Sequence, residues 1–463
     1  MSARKKKYKL LLINPVGKRK AGLVLSHESI YPPMALGVIA ALTPEHWEVE
    51  ILDENFTPFE FKDADLVGFT SLTSTVTRCY DIAREYRKNK IPTVIGGIHA
   101  SMLPGEASRY VDTVVVGEAE DTWGQVIADF EKNRLQQFYR SKLPSMDRSV
   151  SPRIDLYHPD YNFGSVQTTR GCPMKCEFCS VHTFNGSKYR LRPVDRAVED
   201  FIAIDKDFVY LVDDNFAGYS KASRRHALEF LKGITERKST KFWAGSTSMN
   251  IAGDEELLKY MQLSGCKMVF LGIESELVDQ LQQANKNVNL KIGVDHFAEV
   301  YRKIHAHQIS IMGAFIFGLD NDTPETMRRR TDYILDSELD MMQVTVLTPL
   351  PGTLLYDRFK EEGRLLYTNY PDDWDRYNYI DLVFKPQKMS EEEFNAAAVE
   401  NWERMYNLKN IKRKFLQTLK LTKNAETATF ALSSNIQFHN FFLNEFADPA
   451  DILTGINSLL KPK

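Results

Sequence analysis

Three cysteines within eight residues are the strongest chemical feature of this 463-residue sequence. The segment Arg-Gly-Cys-Pro-Met-Lys-Cys-Glu-Phe-Cys contains Cys172, Cys176 and Cys179. Thiolates at this density repel one another unless a metal neutralises them, and soft thiolates select zinc or iron–sulfur centres. A structural zinc site normally needs four protein ligands. The two remaining cysteines, Cys79 and Cys266, have no cysteine or histidine partner at ligand spacing.

Three thiolates without a fourth cysteine nearby indicate an iron–sulfur cluster with one open iron, which could bind a small molecule. Two alternatives stay open on the spacing alone. One is a zinc site in which His182 serves as the fourth ligand. The other is a chance group of buried core cysteines.

The spacing Cys-x3-Cys-x2-Cys, with Phe178 directly before the last cysteine, resembles the signature of the radical S-adenosylmethionine (SAM) enzymes. Residues 168–171 (Thr-Thr-Arg-Gly) and Ser180 match as well. The resemblance implies that the three cysteines hold a 4Fe–4S cluster and that SAM chelates its fourth iron. It also implies that one electron cleaves SAM to a 5′-deoxyadenosyl radical.

The elements that must position this loop form two α/β units. Residues 8–140 alternate predicted strands (8–14, 49–53, 66–70, 93–95 and 114–116) with helices. Short connections and this alternation predict a parallel, doubly wound, Rossmann-like sheet. Ligands of such sheets lie at the carboxyl ends of the strands.

The sequence motifs at those strand ends resemble motifs of the cobalamin-binding domain that precedes the catalytic domain in one large radical SAM class. The motifs that carry the match are Tyr31-Pro32-Pro33, Asp53-Glu54-Asn55, Gly68-Phe69-Thr70-Ser71, Gly96-Gly97-Ile98-His99-Ala100 and Gly117-Glu118-Ala119-Glu120. Glycines let the backbone approach a flat corrin, and hydroxyls offer hydrogen bonds. The resemblance implies a cobalamin-binding domain over residues 1–140, with contacts from Thr70, Ser71, Gly96, Gly97, Gly117 and Glu118. The alternative is a flavodoxin-like module that has lost its ligand.

One departure concerns the cobalt ligand. Many cobalamin proteins carry an Asp-x-His-x-x-Gly loop after the first strand, whereas residues 14–37 contain only His27, outside any such motif. We therefore expect that cobalt receives no histidine from this loop. His99 follows two glycines and is interpreted as a loop residue rather than a cobalt ligand.

Residues 141–165 are predicted to be a linker, because serine and proline break any helical pattern over 135–165. Residues 166–385 again alternate predicted strands (166–168, 208–212, 242–246, 268–271, 310–316 and 342–347) with helices, which indicates a partial β/α barrel with its chemistry at the strand ends. The radical SAM resemblance implies that Asp213, Asp214 and Asn215 bind the amino group of SAM. It implies contacts with ribose and methionine from Ser246 and Glu274, and a role for 347–353 at the adenine side or the substrate entrance.

Residues 386–463 lack strand signals and form a predicted helical region with helices at 391–406, 412–421 and 438–446. Such a tail could close the barrel and contact substrate, or simply cover apolar surface. The aromatic residues Phe184, Tyr189, Trp374 and Tyr377 could line an apolar cavity or belong to the core.

The composition limits which other classes of protein this sequence could belong to. A net charge of −3 gives no basic field for nucleic acid. No window approaches the ~20 apolar residues of a membrane span. The cysteine pattern argues against a secreted disulfide framework, so we expect a cytoplasmic protein.

The sequence thus predicts a radical SAM enzyme that methylates an unactivated carbon with cobalamin. The alternative is a cobalamin-domain radical SAM enzyme that catalyses a cyclisation, rearrangement or oxidation. A methylthio-transferring enzyme is disfavoured, because residues 1–165 hold only Cys79. A cobalamin or iron–sulfur sensor would be expected to lack the SAM-contacting strand ends. The expected partners are a small-molecule or lipid-like substrate and a reducing protein such as flavodoxin or ferredoxin.

Overall fold

The computed structural model describes residues 7–19 and 30–460, which form an α/β protein with two six-stranded parallel sheets. The first sheet has the order β2-β1-β3-β4-β5-β6. Its strands are β1 (Tyr8–Asn14), β2 (Trp47–Asp53), β3 (Leu66–Thr70), β4 (Thr93–Gly96), β5 (Thr113–Val116) and β6 (Phe138–Arg140). Its helices are α1 (Met34–Leu42), α2 (Val76–Lys88), α3 (Ile98–Met102), α4 (Pro104–Ala107) and α5 (Trp123–Glu131).

This sheet is covered on both faces, as its apolar strands require. In β1, Leu10 and Leu12 pack with residues of α1 and α5, whereas Leu11 and Ile13 pack with residues of α2 on the opposite face. The predicted doubly wound sheet is confirmed. Its order reverses between β1 and β3, and the predicted cobalamin contacts lie at the ends of β3, β4 and β5.

The second sheet has the order β14-β13-β12-β11-β10-β7 and forms the predicted partial barrel. The strands of this half of the chain are β7 (Phe163–Val166), β8 (Thr169–Arg170), β9 (Arg190–Leu191), β10 (Phe208–Leu211), β11 (Phe242–Thr247), β12 (Cys266–Glu274), β13 (Ser310–Phe317) and β14 (Met341–Val346). The helices are α6 (Val181–Phe184), α7 (Val194–Ala203), α8 (Lys221–Glu236), α9 (Glu255–Leu263), α10 (Val278–Gln283), α11 (Asn287–Ile292), α12 (Phe297–His305), α13 (Pro324–Asp336) and α14 (Leu354–Glu361). Strands β8 and β9 form a separate antiparallel pair beside the cysteine loop.

The chain after the barrel is helical, as predicted, with α15 (Glu391–Tyr406), α16 (Leu408–Thr422), α17 (Ala425–Leu443) and α18 (Pro449–Leu460). A capping box between Ser390 and Glu393 begins α15. Helix α17 packs against β12, β13 and β14. It ends at Leu443, before the predicted residue 446, because Asn444 adopts the left-handed conformation (φ +52°).

The predicted linker over residues 141–165 connects the two sheets and contains two short 3-10 turns, Met146–Arg148 and Ile154–Leu156. The stretch 135–165 contains β6 and the first residues of β7, and it packs against the first sheet. The backbone N–H of Arg153 donates to Gly37 O over 3.0 Å, and the Tyr161 hydroxyl donates to the Asp53 carboxylate. The two α/β units are therefore held together through this segment. Among the described helices, none is long and apolar enough to span a membrane.

Candidate cofactor sites

The cysteine loop begins where β8 ends, at a position that requires glycine. Gly171 has φ +92°, and a Cβ there would collide with the carbonyl of Lys188. Hydrogen bonds from Cys172 N to Gly186 O (3.2 Å) and from Cys179 N to Cys176 O (3.1 Å) fold the loop back on itself. Burial raises the pKa of the Cys179 thiol to about 12, and the nearby thiols of Cys176 and Cys172 add to that rise. The structure thus brings the three predicted ligands together.

The donor set suits a cluster better than one ion. Among the described residues, no three histidine, cysteine, aspartate or glutamate side chains surround a single metal position, so His182 and the cysteines form no such set. A 4Fe–4S cluster does not need one, because each thiolate binds a different iron. Buried thiols with raised pKa values lose their protons when a metal binds them.

Two of the three predicted amino-group ligands form hydrogen bonds with the segment that carries the cysteine loop. The Asp213 carboxylate accepts hydrogen bonds from Thr168 N (2.6 Å), Thr168 Oγ1 (2.5 Å), Thr169 N (3.1 Å) and Thr169 Oγ1 (3.0 Å). Burial raises its pKa to about 6, although these hydrogen bonds favour the ionised form. The Asp213 carboxylate therefore fixes the strand that enters the loop.

Asp214 fixes the same loop further along. Its Oδ2 accepts from Gly171 N over 2.7 Å and from Asn185 Nδ2 over 2.9 Å. Asn215, in contrast, donates from Nδ2 to Ser248 Oγ (2.9 Å), and its Oδ1 is buried without a hydrogen-bond partner. Of the three residues, Asn215 offers the acceptor that a ligand ammonium could use.

The other predicted SAM contacts lie at neighbouring strand ends of the barrel. Ser246 Oγ is 3.2 Å from the Tyr210 hydroxyl. Glu274 ends β12 at a register shift and has φ +67°, a conformation that costs a non-glycine residue roughly 1–3 kcal/mol. Its Oε1 lies 2.5 Å from Lys286 Nζ. Sequence reasoning missed Lys286, because no motif marks it.

Lys286 lies between the cysteine loop and the end of β12. Just before it, Ala284 O accepts from Glu177 N (3.3 Å) and Asn285 Nδ2 donates to Lys175 O (2.6 Å). Burial opposes a charge on Lys286, but Glu274 and the thiols of Cys176 and Cys179 outweigh it and raise the lysine pKa above its usual value. The result is a protonated lysine, paired with Glu274, beside the candidate cluster.

A second site lies between the two sheets, in a cavity of about 390 Å³, a volume within the range of small-molecule pockets. All six residues predicted to contact cobalamin line it: Thr70, Ser71, Gly96, Gly97, Gly117 and Glu118. Gly97 has φ +93°, and a Cβ there would come within 2.7 Å of Ser71 N and O, so the two loops could not approach as they do. The opposite wall comes from the cysteine-loop region and includes Gln167, Arg170, Phe184 and Asn185.

A buried ion-pair network joins the two walls of this cavity. Arg170 lies 2.7 Å from Glu118 and 2.6 Å from Glu120, and Arg190 pairs with Glu118 as well. Both oxygens of the Glu118 carboxylate are thereby engaged. Glu118 acts first as a link between the sheets, which the sequence prediction did not include.

The histidine and aromatic candidates lie in different parts of the structure. His99 is buried in α3, with Nδ1 3.2 Å from Thr73 Oγ1 and Nε2 3.2 Å from Glu106 Oε1, so neither ring nitrogen faces the cavity. His27 lies outside the described residues. Trp374 and Tyr377 are fully buried core residues, and Tyr189 lies in the radical SAM half with its hydroxyl buried and unpartnered.

Comparison with known protein families agrees with this arrangement. Residues 21–127 match the B12 binding domain family, and residues 166–334 match the Radical SAM superfamily. The first match covers the cavity-lining strand ends, and the second covers the cysteine loop and most of the partial barrel.

Individual relatives extend over most of the chain. It is 29% identical over 454 residues to bacteriochlorophyllide d C-8(2)-methyltransferase of Chlorobaculum tepidum, covering 92% of this chain and 97% of that protein. It is 32% identical over 358 residues to hopanoid C-2 methylase of Rhodopseudomonas palustris, covering 73% and 66%. The structure of the radical SAM methyltransferase TsrM from Kitasatospora setae, with cobalamin and a 4Fe–4S cluster bound, shares the fold at a TM-score of 0.67 and 17% identity, covering 93% and 100%.

Proposed function

Because the chain belongs to the radical SAM superfamily and carries a B12-binding domain, we propose that it methylates an unactivated carbon of a biosynthetic small molecule with cobalamin. The radical SAM domain implies a 4Fe–4S cluster and SAM, and the B12-binding domain implies cobalamin. One observation carries the proposal: strand ends of the first domain and residues on either side of the cysteine loop line the same cavity. A cobalamin in that cavity would face the site where SAM reacts. The methylase relatives support the same reaction class.

The chain's own residues bind and orient these groups. When bound, the cluster and SAM supply one-electron cleavage chemistry, and cobalamin supplies methyl transfer. Cys172, Cys176 and Cys179 would hold the cluster. Asn215 Oδ1 is free to accept a hydrogen bond from the ammonium of SAM, while the pair of Glu274 and Lys286 lies beside it at the strand ends.

Ion pairs within the protein support a fixed spacing between the two proposed cofactor sites. Arg170, two residues before the first cluster cysteine, pairs with Glu118 and Glu120 of the cobalamin-binding domain. A rigid separation of this kind reduces the entropic cost of bringing reacting groups together.

The proposed setting is the reducing cytoplasm. All five cysteines are free thiols, and the cluster needs an electron donor. We infer that a small reducing protein such as flavodoxin or ferredoxin supplies the electron, and that the substrate is a small or lipid-like molecule.

The test uses protein reconstituted anaerobically with iron, sulfide and hydroxocobalamin, then reduced in the presence of SAM. A methylating enzyme should form both 5′-deoxyadenosine and S-adenosylhomocysteine, whereas a non-methylating radical enzyme should form only the former. The triple variant Cys172→Ala, Cys176→Ala and Cys179→Ala should form neither. Methylthioadenosine as the product, or absence of corrin after reconstitution, would contradict the proposal.

A further inference from the structure

The two faces of the barrel sheet are buried to different degrees. On the outward face, Val209, Trp243, Val269, Ile311 and Val344 are fully buried in the core beneath the helices. On the inward face, five residues of the same strands are only half-buried, namely Tyr210, Ser246, Phe270, Met312 and Gln343. Side chains normally fill the interior of a β/α barrel. Here they leave an accessible space, which we call the inner chamber.

Helix α17 closes the inner chamber at the amino ends of the strands. Ala431 of α17 packs with Ala244, Met268 and Met341, and all four residues are fully buried. Next to them, Phe430 of α17 stacks on another inward residue, Phe208, at a centroid distance of 4.9 Å. The inner chamber therefore opens toward the carboxyl ends of the strands, where the cysteine loop lies.

The ion pair of Lys286 and Glu274, near the cysteines, borders the inner chamber at the carboxyl ends of the strands. Gly272 faces inward on β12, and a Cβ at this position would lie 2.6 Å from Glu274 Oε1 and 2.7 Å from Lys286 Nζ. A side chain here would displace the pair. The inner chamber is thus continuous with the site assigned to SAM.

Tyr31 forms a side wall and brings the inner chamber close to the cobalamin cavity. Its ring stacks on Tyr210 at 4.6 Å. It is 40% exposed, yet burial raises its pKa well above the usual value, a combination expected of a side chain in a deep concavity. Three residues later, Met34 lines the cobalamin cavity. Because three residues span at most ~11 Å, the two spaces are neighbours.

The polarity of the residues that line the inner chamber determines which ligands it can bind. The inward polar groups include the hydroxyls of Tyr210 and Ser246, which lie 3.2 Å apart, and the hydroxyl of Thr345. The amide of Gln343 also faces inward, and it makes no hydrogen bond within the described part of the chain. At the end of β12, the charges of Lys286 and Glu274 neutralise each other. A charged ligand group in the inner chamber would lose its hydration, and the paired Lys286 and Glu274 offer it no free counter-ion.

We propose that the inner chamber binds the reacting part of the substrate, and that this part is neutral, largely apolar and of ring size, with one polar atom hydrogen-bonded by Gln343. The inference rests on the proposed function and adds the substrate class. Aromatic and methionine walls stabilise such a group by contact area, and the single free amide fixes its orientation.

The experiment measures binding of three probes with one ring system to the cobalamin- and cluster-loaded protein. The probes are neutral pyrene, anionic pyrene-1-carboxylate and cationic 1-pyrenemethylamine, and the readout is quenching of their fluorescence. Pyrene should bind at least tenfold more tightly than either charged probe. Equal or tighter binding of a charged probe would overturn the inference.

A matched pair of variants places the binding in the inner chamber. Gln343→Glu adds a carboxylate with almost no change in volume, so it should weaken pyrene binding about tenfold and strengthen binding of the cationic probe. Gln282→Glu makes the same change at an exposed position of α10 and should leave all three affinities unchanged. Cluster absorbance and corrin content report whether each variant folds. An unchanged probe preference in Gln343→Glu would overturn the inference.

The experiment distinguishes failure of the inference from failure of the proposed function. If no probe binds while corrin is retained and SAM is cleaved, the substrate class is wrong and the proposed function stands. If corrin and SAM cleavage are both absent, the proposed function fails, and the inference fails with it.

Discussion

Lys286 Nζ lies 2.5 Å from Glu274 Oε1, where the segment after α10 connects the cysteine loop to the end of β12. The carboxylate of Glu274 was predicted from the sequence to contact SAM, but it does not stand alone. Its negative charge is balanced by a lysine whose own pKa is raised first by Glu274 and then by the thiols of Cys176 and Cys179. The charge balance at the candidate cluster therefore depends on a residue that no motif marks.

We predict that Lys286→Met makes the cluster harder to reduce. Loss of the positive charge leaves Glu274 uncompensated near the thiolates, and an added electron is then repelled more strongly. At a fixed applied potential the reduced fraction should fall about tenfold, a shift of roughly 59 mV for a one-electron couple. The measurement is an electron paramagnetic resonance titration against potential.

Two controls accompany this measurement. Lys286→Arg keeps the charge and should restore the potential, whereas Lys291→Met removes an exposed lysine of α11 and should not change it. An unchanged potential in Lys286→Met would show that the lysine has no electrostatic effect on the cluster.

We predict that Asp213→Asn impairs retention of the cluster more than affinity for SAM. The Asp213 carboxylate accepts four hydrogen bonds from Thr168 and Thr169, and an asparagine NH₂ cannot accept the two that reach one of its oxygens. The free energy of unfolding should fall by about 1–3 kcal/mol. Iron content per chain and denaturant unfolding measure the two effects, with Asp205→Asn at an exposed position as control. Full iron content together with weakened SAM binding would instead favour the direct contact expected from the sequence.

We predict that Glu118→Gln loosens the junction between the two sheets. Glu118 pairs with Arg170 and Arg190, and the substitution leaves these guanidinium groups with less counter-charge in a buried place. Breaking a buried pair costs about 3–5 kcal/mol. Corrin content after gel filtration should fall, and the urea midpoint should fall with it. Glu48→Gln, at an exposed position of β2, should change neither quantity. Normal corrin retention in Glu118→Gln would mean that the network is dispensable for cofactor binding.

Much of the fold followed from the sequence, because apolar runs and helix caps act locally. β3 and α15 have the bounds predicted from an apolar run and a capping box. The errors lie where distant groups determine the backbone. The Asp213 carboxylate binds the amides of Thr168 and Thr169 and so ends β7 earlier than predicted. The three-residue strand β6 has no periodicity of its own and exists only because it pairs with β5.

In the candidate site, too, features set by local sequence could be predicted and features set by distant groups could not. The cysteines and the glycine-rich strand ends could be predicted, because each motif is contiguous in the sequence. Lys286, and the pairing of Glu118 with Arg170 and Arg190, could not, since each depends on residues brought together by tertiary contacts. Asp213 and Asp214 were placed at the correct strand end, but their hydrogen bonds with the segment around the cysteine loop could not be predicted, because the sequence does not reveal which donors reach a carboxylate.

We predict that bound cobalt has no histidine ligand. Both ring nitrogens of His99 are within 3.2 Å of Thr73 and Glu106 oxygens, and no described histidine lines the cavity. His27 is outside an Asp-x-His-x-x-Gly motif, so His27→Ala should leave corrin content and spectrum unchanged. The measurement is electron paramagnetic resonance of the Co(II) state. A nitrogen superhyperfine pattern from a protein histidine would contradict the prediction.

The last prediction concerns Lys414 of α16, which is fully buried and donates from Nζ to Ser337 O over 2.8 Å. Burial lowers its pKa to about 7, and Asp340 opposes that effect only partly. In the unfolded chain a lysine has a pKa of about 10.4. Between these two values the unfolded state binds a proton that the native state does not, so the free energy of unfolding rises with pH, by up to roughly 1.4 kcal/mol per pH unit.

Lys414→Met removes this pH dependence of the free energy of unfolding. Relative to wild type, the variant should therefore be most stable near pH 7 and should lose that advantage toward pH 10. Urea unfolding at pH 7, 8 and 9 checks the slope, with the exposed Lys412→Met as control. Parallel stability curves for wild type and Lys414→Met would mean that Lys414 stays charged in the core, balanced by Asp340.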